Sequence, residues 1–245
     1  MSRLLVTPEI FAQFPAAVLG VIVAHEIDNT REDEKIQAGL RGEEARVREL
    51  FASQPIPEHP HIAPWREAYR KFGARPKDHP SSIENLVRRV AKGHALPKVN
   101  PLVDLYNTVS LRFLLPAGGE DLDHTQGDIR LTVAAEGEAP VRLLGEPEAR
   151  PPYPGEVIYK DDLGAICRRW NWKEADRTKL TPQTRRAILV LEGLPPVGAN
   201  EIEEATAALA AMIHAHCGGT VTHAVLHHER PEISMQQIAE QGIPG

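Results

Sequence analysis

The sequence predicts an α+β fold, with a helical N-terminal half around a mainly antiparallel sheet. Three observations predict it. Apolar residues recur at helical spacing between Glu32 and Phe113, and the pattern turns strand-like after Gly118. Ahead of the helices lies the longest apolar run, Ala16 to Ala24, short and rich in β-branched residues, which suits a central strand.

Each element follows from local chemistry. Glu32 to Ala52 is charged, with Ile36, Leu40, Val47 and Leu50 at helical spacings, and is expected as one or two exposed helices. Pro55, Pro57 and Pro60 then break the chain. Trp65, Tyr69 and Phe72 put three rings on one helical face, which reads as a core stripe rather than a ligand site. Gly73 ends that helix and Pro76 forbids an immediate restart. Ser81 to Ala91 is the next helix, with Ile83, Leu86, Val87 and Val90 inward. Asn100 is an N-cap type and Pro101 suits a first turn, so a helix runs from there to Phe113. Asn107 and Ser110 flank its apolar face, and polar groups there are candidates for a pocket edge. Asp104 on the other flank reads as a structural hydrogen-bonder.

Gly118-Gly119 reads as a turn, and its bare backbone as able to approach a ligand closely. Beyond it Ile129, Leu131 and Val133 alternate with polar residues, and strands are expected at 141–144, 156–159, 165–169 and 187–191. A helix from Glu201 to His216 has Asn200 and Glu203 at capping-box spacing, with Gly218 as its stop. Thr220 to Leu226 is a last strand, and the final dozen residues are expected to fray.

Composition narrows the function. The chain has 245 residues, 42% hydrophobic and 25% charged, and no apolar stretch long enough to span a membrane. Met1 to Pro8 lacks the features of a signal peptide, and two cysteines are too few for a disulfide scaffold, so the expected compartment is cytoplasmic. A net charge of −6 argues against a generic nucleic-acid binder. Yet two segments are locally basic: Trp65 to Lys98 and Arg168 to Arg186. Such runs read either as solvated helix faces or as phosphate contacts. The chain shows no phosphate loop, dinucleotide fingerprint or nucleophile elbow. Its histidines read as surface and helix-end residues, and no metal or other cofactor is expected. Cys167-Arg168-Arg169-Trp170-Asn171-Trp172-Lys173-Glu174 lacks the periodicity of a core element. Two readings are open for it: a loop anchored by its own tryptophans, or a pocket wall.

Several blocks together carry a resemblance. Val103-Asp104-Leu105-Tyr106-Asn107-Thr108-Val109 resembles the V-D-x-x-N-x-V stretch of the B3/B4 editing module of the phenylalanyl-tRNA synthetase β-subunit. Pro116 and Asp121 fit the proline and aspartate that follow, and Ile188-Leu189-Val190-Leu191-Glu192-Gly193 fits its strand ending in glutamate. Trp65-Arg66-Glu67-Ala68-Tyr69, Asn100-Pro101-Leu102-Val103-Asp104 and Arg168-Arg169-Trp170-Asn171-Trp172 are similar to blocks of stand-alone bacterial proteins of this class. The resemblance covers Phe11 to Leu194. It implies a B3/B4 editing-type fold, taken here as one domain over 1–245, with a core at 11–194 and a C-terminal helix and tail at 195–245. It departs where the family loop carries a histidine implicated in editing, since Gly118 stands there.

The resemblance implies a protein that binds the aminoacylated end of a tRNA and hydrolyses a mischarged ester in trans. A non-catalytic binding module and a hydrolase of small amino-acid derivatives are the alternatives. No ATP or ligase motif is visible, and the oligomeric state is left open. The candidate catalytic residues are Glu174 and Glu192, to orient water or hold an ammonium group. Asn107, Ser110, Gly118, Gly119, Trp170 and Asn171 are the candidate substrate contacts. Arg168, Arg169 and Arg177, with Arg66, Arg70, Lys71, Arg88 and Arg89, are the candidates for guiding the tRNA backbone, and Trp170 or Trp172 for stacking on its terminal adenine.

Overall fold

The protein is described by a computed structural model that covers residues 2–31 and 33–236. Among the described residues six α-helices form: α1 (Pro8–Gln13), α2 (Glu34–Leu50), α3 (Ala63–Lys71), α4 (Ser82–Ala91), α5 (Pro101–Phe113) and α6 (Ala199–Cys217). The strands are β1 (Arg3–Val6), β2 (Val18–His25), β3 (Ala117–Asp121), β4 (Ile129–Val133), β5 (Val141–Arg142), β6 (Ala149–Arg150), β7 (Val157–Asp161), β8 (Gly164–Arg168), β9 (Lys173–Glu174), β10 (Ala187–Gly193), β11 (Thr220–Leu226) and β12 (Glu232–Ser234). The class is α+β, as the change of periodicity predicts.

Two larger sheets carry the architecture. One has the order β12-β1-β4-β7-β8-β9, the other β11-β2-β10-β3, and β5 and β6 pair separately. All neighbours are antiparallel except β1 and β4. The four-stranded sheet is covered on both faces. Leu19, Val21, Val23 and Ile188 join the core that holds Leu4, Ile129, Tyr159 and Ile166 of the six-stranded sheet. Ile22, Ala24, Leu189 and Leu191 pack with Leu105 and Val109 of α5 and Leu209 and Ile213 of α6. Burial on both sides explains why β2 reads as a continuous apolar run instead of an alternating one. Gly20 belongs to this packing, because a Cβ there would come within 1.7 Å of the Thr206 hydroxyl on α6.

Local signals placed most helices correctly. The Asn100 side chain accepts from the Val103 N–H at 3.1 Å, and the Ser81 hydroxyl caps α4. Trp65 and Tyr69 are core residues, and Asp104 bonds to Gln37 and to the Val99 N–H. Four expectations need correction. Gly118-Gly119 lies in strand β3, because Val190 and Leu189 of β10 pair with it in register. Helix α6 starts from Gly198 with no side-chain cap, so Asn200 and Glu203 form no capping box. Strand β1, beside β4, and strand β12 were not foreseen. The expected fraying of the final dozen residues falls mainly on 237–245, outside the described residues, while Glu232–Ser234 is paired to β1. No helix among the described residues is long and apolar enough to cross a membrane.

Candidate functional site

Between the two larger sheets lies a cavity of about 370 Å³. Period-two alternation builds its floor: Gly118 and Glu120 on β3, with Ile188, Val190 and Glu192 on β10, share one sheet face. Leu4, Ile129, Tyr159 and Ile166 of the six-stranded sheet close the opposite side. Helix α5 contributes Tyr106 and Asn107, and α4 contributes Ser82, Asn85 and Arg89. The last wall is the segment Trp170 to Glu174. The exposed lining residues Asn85, Arg89 and Pro97 mark the mouth.

The Trp170 wall is held at one end by Glu192. Its Oε1 accepts from the Tyr159 hydroxyl at 2.5 Å and from the Trp170 indole N–H at 2.8 Å, and its Oε2 accepts from the Asn171 amide at 2.6 Å. The Tyr69 hydroxyl donates to Asn171 Oδ1 at 2.9 Å, and the Ser82 N–H to the Asn171 carbonyl at 3.1 Å. Arg169 and Trp170 sit in the left-handed region, at φ 49° and 63°. Two such residues in a row cost about 1–3 kcal/mol each, and this hydrogen-bond network holds them there. Burial raises the Glu192 carboxyl to about 7, and its three donors only partly offset this.

The carboxylates near β3 are less well supplied. The Gly119 N–H donates to Glu174 Oε1 at 3.1 Å. Burial raises Glu174 to about 7, and that single bond opposes the rise. Glu120 is pushed well above the usual carboxylate range, first by burial and then by the Glu174 charge. Its Oε2 is buried and finds no hydrogen-bond partner among the described residues; the same holds for Ser82 Oγ. Gly118 is fitted to Glu174, since a Cβ there would lie 2.9 Å from Oε1. Cys167 also lines the cavity, but burial and the neighbouring carboxylates push its thiol up, which removes it as a nucleophile near neutral pH.

Of the predicted contacts, Asn107, Gly118, Gly119, Trp170, Asn171, Glu174 and Glu192 line this one cavity. Ser110 does not: it is fully buried, and its hydroxyl donates at 2.5 Å to the Leu115 carbonyl, satisfying an acceptor just past the end of α5. Trp170 is completely buried, which excludes it as a stacking surface for a terminal base unless the core opens. Trp172 is half-buried and lines the cavity.

The basic segments are largely neutralised by the fold. Arg168 is only 5% exposed and makes a bidentate pair with buried Glu156, at 2.9 and 2.7 Å. Arg66 and Arg88 converge on Glu84, whose side chain is fully buried, and Arg177 grips Asp161 with two bonds of 2.9 Å. Arg70 pairs with Glu67 on the surface, and Lys71 donates to the Gln13 carbonyl. The expectation that Arg168 and Arg66 guide phosphates is therefore corrected: counting charge along the chain misses the carboxylates that folding brings to them. The Arg169 guanidinium makes no ion pair among the described residues and lies 4.5 Å from the Trp172 ring centre, while its backbone N–H donates to Glu156 Oε1 at 2.9 Å. At the cavity, Arg89 bonds among the described residues to the Ala95 carbonyl alone, while Lys173 pairs with Glu146.

Sequence reading missed Glu120, Tyr106 and Ser82. The signal for Glu120 was the two-residue step from Gly118, which a turn assignment concealed. Among the described residues, no group of three or more His, Cys, Asp or Glu side chains is arranged to hold a metal ion.

No curated protein is significantly similar to the chain in sequence. Among solved structures it resembles an N-terminal fragment of the phenylalanyl-tRNA synthetase β-subunit from Pyrococcus horikoshii, at a TM-score of 0.45 and 10% identity. That match covers 89% of this chain and 49% of the fragment, so the chain spans about half its length. The B3/4 domain model matches residues 64–218, which include all but the first residue of α3, helices α4 to α6 and every strand from β3 to β10. With that match over more than half of its length, the chain belongs to the B3/4 domain family.

Proposed function

We propose that the protein is a free-standing editing module that hydrolyses mischarged aminoacyl-tRNA, with the aminoacyl group in the cavity between the sheets. The observation that carries this reading is the order of charge. Glu120 and Glu192 are buried and half-buried Glu174 faces the same cavity, with no cation beside them there, while Arg89 stands exposed at the mouth. An aminoacyl end has the matching order: an ammonium group on the amino acid, then phosphates beyond the ribose.

In this reading Glu174 is the general base, since a carboxyl near 7 is balanced between holding and releasing a proton at neutral pH. It takes a proton from water, and the oxygen of that water attacks the ester carbonyl carbon. The bond to the ribose oxygen breaks, and the proton passes from Glu174 to the leaving hydroxyl. The Asn107 side chain, which has no hydrogen-bond partner among the described residues, and the Ser82 hydroxyl are donors for the developing oxyanion. Glu192 is assigned to positioning, because its oxygens already serve three donors. Phosphate contact falls to Arg89 in place of the paired arginines.

A second reading, a non-catalytic binding module, is favoured by Gly118 at the family's histidine position. Deacylation of a panel of aminoacyl-tRNAs separates the two. Release of an amino acid by the wild type, lost in Glu174→Gln, supports hydrolysis. Retained tRNA binding with no deacylation supports the binding module. Hydrolysis of small aminoacyl esters without tRNA affinity would point to a small-molecule hydrolase.

A further inference from the structure

We propose that Glu120 and Glu174 together form a seat for a primary ammonium group of the ligand, with Glu120 as a specificity-determining residue. This rests on the reading of the cavity as an aminoacyl site, but it concerns recognition and not hydrolysis. Glu120 follows Gly118 by two residues on β3, so both face the same side of the sheet. The Gly118 position is in contact range of Glu174 Oε1, which places the Glu174 carboxylate against that same face. Both glutamates line the cavity. Glu120 is 8% exposed, and its Oε2 has no partner among the described residues. A buried carboxylate oxygen without a donor is costly, and a ligand N–H removes that cost.

The surroundings supply no competing cation. Arg177 acts on Glu120 through its charge, but Asp161 engages it with two bonds. Tyr106, Tyr159 and Cys167 are all pushed up by burial and stay neutral. Without a ligand, the pair lowers its cost by sharing a proton. An arriving ammonium group replaces that proton, which passes to solvent. The ligand class is therefore a primary amine with an apolar body, and an N-acylated counterpart is rejected because it carries no charge and fewer donors.

The test is calorimetric titration at pH 7 in two buffers of different ionisation enthalpy. The probes are L-phenylalaninol, L-leucinol and L-tyrosinol, amino alcohols that cannot be hydrolysed, each with its N-acetyl form. The expected result is binding of at least one free amine, with proton release approaching one per ligand. The N-acetyl forms should bind at least tenfold more weakly. Glu120→Gln, which preserves shape, should weaken amine binding at least tenfold and suppress the proton release. Its thermal midpoint reports whether it is folded, and Glu174→Gln should act in the same direction. Equal binding of the N-acetyl forms, an unchanged Glu120→Gln, or no binding of any amine overturns the seat. The two proposals fail separately. Equal deacylation of N-acetylated aminoacyl-tRNA removes the seat and leaves hydrolysis standing. Proton-linked amine binding with no deacylation does the reverse.

Discussion

The cavity has two ends that use the same side chain differently. At the β10 end, Glu192 is surrounded by Tyr159, Trp170 and Asn171 donors and is 1% exposed. At the β3 end, Glu174 has one backbone N–H, and Glu120 keeps an oxygen with no partner among the described residues. All three carboxyls are raised by burial, so the shift alone does not tell them apart. The number of donors does. A carboxylate whose lone pairs are filled organises the protein, while one left short of donors is available to a ligand.

The largest effect should come from the organised end. Trp170→Ala removes a fully buried ring that packs edge-on against Trp65 and Phe14 and bonds to Glu192. It should cost about 3–5 kcal/mol in denaturant unfolding, and a loss below 1 kcal/mol would deny Glu192 its organising role.

Next in size is a pH effect. Glu192 is raised from its ordinary 4.5 to about 7, so the folded state holds more protons across that interval. The stability that protonated Glu192 gives is present below about 4.5 and is lost as pH rises through about 7. The full loss is about 3 kcal/mol. Unfolding midpoints at pH 5 and pH 8 should therefore fall more steeply for the wild type than for Glu192→Gln. Parallel slopes would refute the assignment.

At the open end the balance reverses. Glu174→Gln should change stability by less than about 1 kcal/mol, since only one hydrogen bond is at stake and the burial cost of the charge is relieved. It should nonetheless abolish deacylation. A variant that unfolds readily yet keeps its activity would invert the comparison.

A change with no expected effect on the ligand sharpens the boundary of the site. Ser110→Ala loses the bond to the Leu115 carbonyl and should cost about 1 kcal/mol, with ligand affinity unchanged because Ser110 does not line the cavity. Thermal unfolding and amino-alcohol titration of one preparation measure both.

Much of this protein is local and could be read from its sequence. The Asn100 cap, the proline after it, the apolar stripe of α4 and the alternation of Ile129, Leu131 and Val133 each express interactions within a few residues. The blocks around Asn107, Trp170 and Glu192 could be named because unusual residue types stand together there. What they do was less legible. Gly118-Gly119 looks like a turn until β10 pairs with it, and only the paired strand aligns Glu120 with Gly118. Arg168 looks solvated until Glu156, twelve residues earlier, meets it across the sheet. Whether a charge is neutralised, and whether a carboxylate has enough donors, depends on partners far away in the chain. Sequence alone therefore determined the helices, most of the strands and the chemically distinctive residues, through short-range backbone and capping preferences. Only the tertiary structure decided which of those residues face one cavity and which charges there remain unpaired, because electrostatics and burial are set by distances that folding creates.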